Sequence, residues 1–134
     1  MQARFGGDPR VQIIPKAVGG SARLAKFYRR SDEDTEWSSL TRIDVHAGGE
    51  IIDVEVIDLV EFIRRLDQPV SVLKMDIEGA EAECLEAILD AGLHRQIGYM
   101  LVETHERFSA ELAARIEGIR KRVNGIPNIN LDWI

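Results

Sequence analysis

The sequence predicts an α/β layered protein with a mainly parallel sheet, and three observations carry that expectation. First, helical and apolar segments alternate through the second half. Leu59, Phe62, Ile63 and Leu66 recur at helical spacing, and Ala80, Cys84, Leu85, Ile88 and Leu89 trace a second helical stripe. Second, an apolar run follows each stripe: "VSVLKM", Val70 to Met75, and "IGYMLVE". Such near-continuous runs are expected of strands covered on both faces in a parallel sheet. Third, start and stop signals fall where the alternation needs them. Asp58 with Glu61 three residues later has the pattern of a capping box, Gly92 suits a C-terminal cap, and Ser109 opens a helix bearing Leu112, Ile116, Ile119 and Val123 until Asn124 and Gly125 stop it.

The first half reads as strands and turns. "VQIIP", Val11 to Pro15, is short, apolar and β-branched, so it is the expected first strand, with a turn at Gly19 and Gly20. "ARLAKFYRR" is expected to return from that turn as a strand, and the polar "SDEDTEWSS" to form a loop. Around Gly48 and Gly49, Ile43 and Val45 on one side and Ile52, Val54 and Val56 on the other alternate as the two arms of a hairpin insertion. At the end, "NINLDWI" alternates Ile129, Leu131 and Trp133, a final strand near an edge. No repeat, low-complexity tract or linker divides the 134 residues, which suit one domain, 1–134.

Composition narrows the function classes. A formal charge of -6 opposes broad attraction to nucleic acid phosphates, and the basic groups Arg23, Lys26, Arg29, Arg30 and Arg115, Arg120, Lys121, Arg122 lack interleaved exposed aromatics. They read as solvated faces, and no nucleic acid partner is expected. No apolar run approaches the ~20 residues of a membrane span, and "MQARFGGDPR" lacks the apolar middle of a signal peptide. The single cysteine, Cys84, excludes an intrachain disulfide framework and sits inside an apolar stripe, which fits a buried structural role in a reducing cytoplasm. Trp37 and Trp133 are expected to pack. The sequence contains no G-x-G-x-x-G, phosphate-loop, C-x-x-C or H-E-x-x-H pattern.

The stretch "KMDIEGAE" holds the chemistry. In an open parallel sheet ligands bind beyond the carboxyl ends of the strands. Asp76 and Glu78 lie just after one apolar run, and Glu103 and His105 just after the next. If these strands are neighbours, three carboxylates and an imidazole converge on one rim. Such a group can take a proton from a substrate hydroxyl or hold a divalent cation, so metal use stays open. Gly79 would permit close approach of a ligand, and the helix starting there would direct free N–H groups to the same space. The competing reading is plain: Asp76 caps the helix, Glu78, Glu81 and Glu83 favour its positive end, and His105 makes an ordinary loop hydrogen bond.

"VIDLVEFIRRLDQPVSVLKMDIEGAEAECLEAILDAGL" followed by "YMLVETHE" resembles the FkbM-type family of S-adenosylmethionine-dependent methyltransferases. Ile57 and Asp58 stand for the family's Leu-Asp pair; Lys74, Asp76, Glu78, Gly79 and Glu81 match Lys-x-Asp-x-Glu-Gly-x-Glu; Glu103 and His105 match its later Val-Glu and histidine. "VQIIPKAVGG" and the serines of "WSSL" also look like earlier parts of that domain, so the resemblance runs over roughly residues 5 to 107.

The resemblance implies a Rossmann-like fold and transfer of a methyl group from S-adenosylmethionine to a hydroxyl of a sugar or other small molecule. It implies catalytic roles for Asp76, Glu103 and His105, with Asp76, Glu78 and Gly79 at the cofactor's methionine end and Glu103 and His105 facing the acceptor. The family's glycine-rich cofactor loop and the acidic strand end after it are missing before Val11, where too few residues stand for a βαβ unit of roughly 30. The chain is therefore expected to be the later part of an incomplete domain. An open strand edge would then favour a homo-oligomer or a partner completing the sheet. The alternative to an enzyme is a truncated, inactive relative that serves as a binding or assembly module.

Overall fold

The structure, a computed structural model, describes residues 7–32, 35–39 and 50–133. Its strands are β1 (Ala17–Gly19), β2 (Arg23–Asp32), β3 (Thr35–Ser39), β4 (Glu50–Asp58), β5 (Val70–Met75), β6 (Ile97–Val102) and β7 (Ile129–Asn130). The helices are α1 (Leu59–Arg64), α2 (Glu81–Asp90) and α3 (Ala110–Val123), with 3-10 turns at Leu93–Arg95 and Glu106–Phe108. The mixed α/β class is as the alternation predicts.

Among the described residues the strands form two sheets rather than one. β5, β6 and β7 are joined in that order by parallel pairing, whereas the other sheet runs β1-β4-β2-β3 with only β1 and β4 parallel. The parallel character therefore belongs to the half where helices separate the strands. Where they follow one another directly, antiparallel pairing needs no crossover.

Several first-half expectations change. Val11 to Pro15 forms no strand: Pro15 cannot donate to a ladder, Val11 N bonds locally to Asp8 O at 3.0 Å, and pairing starts only at Ala17. The polar "SDEDTEWSS" is not simply a loop, because Thr35–Ser39 pairs antiparallel with β2. Ladder pairing here overrides composition. The first arm of the expected hairpin, with Ile43, Val45, Gly48 and Gly49, lies outside the described residues. The second arm is β4, flanked by β1 and β2.

The helices follow their signals closely. Asp58 Oδ1 accepts from Glu61 N at 3.0 Å, and Ser109 Oγ accepts from Leu112 N at 3.1 Å, so each satisfies an orphan amide of its helix. The box at α1 is not reciprocal, since the Glu61 carboxylate accepts from Arg64 at 2.9 Å. Gly92 adopts φ 69 just after α2 and Gly125 adopts φ 83 just after α3, the left-handed terminations their positions call for.

One face of the parallel sheet carries the core. Met75, Met100 and Val102 meet Leu85 and Ile88 of α2 and Ile116 and Ile119 of α3, all buried. Each such side chain contributes about 1.5–3 kcal/mol relative to exposure. The other face is not covered as expected: Val72 is 58% and Tyr99 40% exposed, at paired register positions. β5 is an edge strand among the described residues. The helix α2 also approaches β1, where a side chain on Gly20 would meet the Glu83 carbonyl oxygen at 2.8 Å. Among the described residues no helix is long and apolar enough to cross a membrane.

Candidate functional site

The strands that the site needs are neighbours. Met75 and Val102, the last residues of β5 and β6, are register partners, and the pairing continues one step as Glu103 N donates to Met75 O at 3.0 Å. Asp76 and Glu103 therefore leave the sheet side by side at its carboxyl edge.

Beyond Met75 the chain turns sharply. Glu78 adopts φ 52 and Gly79 φ 105, and α2 starts after Ala80, which offers no side-chain cap. A non-glycine residue in the left-handed region costs on the order of 1–2 kcal/mol, so something must hold it. Glu81 does so. Fully buried in the first turn of α2, it folds its carboxylate back on the loop, accepting from Ile77 N at 3.1 Å and from Gly79 N at 2.9 Å.

The same carboxylate fixes His105. Its Oε1 lies 2.8 Å from His105 Nδ1, and the imidazole is 1% exposed, packed beside Phe108 with ring centroids 5.0 Å apart. The other ring nitrogen, Nε2, lies 3.3 Å from Glu78 Oε2 and 3.8 Å from Glu103 Oε1. Asp76, Glu78 and His105 each offer a donor atom within 4.8 Å of the others. Burial pushes the Glu81 carboxyl up, but hydrogen bonds from His105, its own backbone amide and Gly79 hold it below the usual range. For His105, burial works downward and is outweighed by the bond to Glu81 and the charges of Glu81 and Glu78, so its pKa is raised. Each partner thus favours the ionised form of the other.

Two contacts of the plainer sequence reading are not seen. Asp76 is not a helix cap: its carboxylate is 37% exposed, and Lys74 Nζ lies 3.7 Å away, also 4.4 Å from the centroid of the Trp133 ring. His105 does not make an ordinary loop contact, being buried against a buried acid. Glu81 was legible only as a match to the motif and as a favourable charge at a helix start. The sequence signal for its inward role is its place two residues after Gly79, where a first-turn side chain can reach the amides of the preceding turn.

The remaining groups sort themselves out. Arg23 pairs with Glu83 at 2.7 Å, Arg115 with Glu86 at 2.6 Å, Arg122 with Asp90 at 2.6 Å, and Arg120 with both Glu106 at 2.8 Å and Asp132 at 2.6 Å. Cys84 is fully buried, its thiol pushed up to about 12 first by burial and then by the charges of Glu83 and Glu81. A cavity of about 270 Å³ adjoins the rim, lined by Glu103, Arg107 and Trp133 among others. The larger cavity of about 420 Å³ lies at the opposite strand ends, beside Val70 and Gln96. It lacks the converging acids that the smaller one adjoins.

The model of one family, the methyltransferase FkbM domain, matches residues 6–123. The chain belongs to the FkbM methyltransferase family. No curated protein and no solved structure gives a significant match. Family membership makes this a methyltransferase domain, which supports a Rossmann-like fold, and implies S-adenosylmethionine as the methyl source. The residues present fit the methionine end of that group: Asp76 presents a half-exposed carboxylate suited to its ammonium, beside the Glu78–Gly79 turn. FkbM motif positions Asp76, Glu78, Glu81, Glu103 and His105 thus come together, while Lys74 reaches the rim from β5.

Proposed function

We propose that this FkbM domain methylates a hydroxyl of a small molecule or sugar, using S-adenosylmethionine. The observation that supports this most is the side-by-side exit of Asp76 and Glu103 from β5 and β6, with His105 fixed between their loops. When bound, the cofactor supplies an electrophilic methyl group on a sulfonium.

Asp76 would hold the cofactor's ammonium, with its methionine end beside the Glu78–Gly79 turn. The acceptor occupies the cavity lined by Glu103, Arg107 and Trp133. Its hydroxyl would donate to Glu103, the group placed to take the proton when the methyl–sulfur bond gives way to the methyl–oxygen bond and the cofactor leaves as its neutral thioether. His105 positions the Glu103 carboxylate from 3.8 Å and is itself fixed by Glu81. The Trp133 ring suits the apolar face of a sugar, and Arg107 suits its polar edge.

The test is transfer of a labelled methyl group to a panel of sugars and hydroxylated small molecules. Label should move to a subset of acceptors, and Asp76→Ala should abolish transfer with an unchanged circular dichroism spectrum. Unchanged turnover in that variant would remove Asp76 from the reaction. Cofactor binding without transfer to any acceptor would instead fit the binding or assembly module.

A further inference from the structure

We propose, resting on the acceptor cavity of the methyl-transfer reading, that this cavity selects a hydroxylated sugar bearing an acid group, a carboxylate or a phosphate, and that Arg107 makes the selection. Arg107 lines the cavity of about 270 Å³ with Glu103, Thr104 and Trp133, yet among the described residues it has no acidic partner. The charges beside it are matched already. Arg120, the other arginine of the cavity, holds Asp132 at 2.6 Å and Glu106 at 2.8 Å, and Glu103 faces His105 Nε2 at 3.8 Å. Lys74, 4.4 Å from the centre of the Trp133 ring, is shared with Asp76 at 3.7 Å.

The Arg107 guanidinium is nevertheless held in place. It lies 5.0 Å from the centroid of the Phe108 ring, and that ring packs on His105 with centroids 5.0 Å apart. Contact with an aromatic face restrains a side chain that would otherwise range through solvent. Arg107 is also exposed, so its charge stays open to a ligand.

The cavity thus has two unlike poles, an acceptor at Glu103 and a donor at Arg107. A guanidinium fork matches carboxylate or phosphate oxygens two at a time, in bonds roughly twice as strong as neutral ones. A neutral hydroxyl offers it one oxygen and no charge. Glu103 repels a second anion at its own pole, so an acid group is directed to Arg107 and the hydroxyl to Glu103. Trp133 supplies an aromatic face for the ring that carries both groups. The volume lies near the small end of the roughly 300–1,000 Å³ of ligand pockets, which suits one sugar ring rather than a chain of them.

The probes are glucuronate, glucose 6-phosphate, glucose and inorganic phosphate, each titrated into the chain at neutral pH and low salt and followed by ligand-observed nuclear magnetic resonance. At least one acidic sugar should bind saturably and about tenfold or more tightly than glucose, and which one binds assigns the acid group. Arg107→Gln should remove that preference and Arg107→Lys should keep part of it, while Arg95→Gln, in the turn before β6, should leave it unchanged. Equal affinity for acidic and neutral sugars, no saturable binding of either acidic sugar, or a full preference in Arg107→Gln overturns the proposal. Inorganic phosphate bound as tightly as the acidic sugars overturns it too, since the cavity would then read an anion and not a sugar. Methyl transfer is read separately. Acidic sugars that bind but receive no methyl group remove the transfer reading and leave the selective cavity, whereas transfer to neutral sugars without an acidic preference removes the selection and leaves transfer.

Discussion

His105 Nδ1 lies 2.8 Å from Glu81 Oε1, a contact between two buried side chains, one in the loop after β6 and the other in the first turn of α2. It joins the turn after β5 to the turn after β6. Because Glu81 also holds the amides of Ile77 and Gly79, one carboxylate sets both the left-handed turn at Glu78 and the direction of the imidazole.

Glu81→Ala should destabilise the fold by about 3–5 kcal/mol, since it leaves a buried imidazole and two loop amides without their acceptor. Glu81→Gln, which keeps the size and one acceptor oxygen, should cost less. Urea unfolding followed by tryptophan fluorescence measures both, and equal stability of Glu81→Ala and the parent would show that the carboxylate does not hold the turn.

The pair also fixes a pH dependence in the metal-free chain. His105 is raised, so its contribution is full below its unfolded value near 6.5 and is lost as pH rises through the folded value. Glu81 is lowered, so its contribution is full above an unfolded value near 4.3 and is lost as pH falls through the folded value. Thermal melts in chelator should therefore show the pair's stabilisation greatest between about pH 4.5 and 6.5. That component should vanish in Glu81→Gln, and an identical pH profile in the variant would contradict the assignment.

Cys84 should resist alkylation in the folded state. With its thiol pushed up to about 12 by burial and nearby acids, the thiolate fraction at pH 8 is on the order of a thousandfold below that of a free cysteine. Iodoacetamide labelling read by mass spectrometry should follow unfolding by urea. Rapid labelling without urea would place the thiol at the surface.

Gly98 lies in β6 against the backbone of β5, where an added Cβ would sit 2.5 Å from the Ser71 carbonyl oxygen. Gly98→Ala should cost about 1–3 kcal/mol and loosen the strand pair that carries the rim. Stability unchanged in this variant would show that the β5–β6 spacing is not as close as described.

The helical half was legible because its signals are local. Asp58 and Ser109 cap as their positions predict, Cys84, Leu85 and Ile88 fall on one buried stripe, and Gly92 and Gly125 terminate helices. The strands of the first half were not, because a short apolar run such as "VQIIP" does not state its partner, and Thr35–Ser39 becomes a strand through pairing rather than composition. Periodicity also overstated the cover on β5: Val72 is apolar yet 58% exposed, since no helix packs on its side among the described residues. At the site, the position of Asp76, Glu78, Glu103 and His105 at strand ends could be read directly. The role of Glu81 could not, because a carboxylate at a helix start more often faces water than the loop behind it.

The proposed cofactor rim at the carboxyl ends of β5 and β6 is anchored by Asp76. Calorimetric titration of the chain with S-adenosylmethionine and with its demethylated product, alongside Asp76→Asn, tests it most directly. The parent should bind both ligands saturably and the variant about tenfold or more weakly, in line with a charged hydrogen bond worth roughly 1.5–3 kcal/mol. A folded parent that gives no heat with either ligand, or an Asp76→Asn chain that binds equally well, would contradict it.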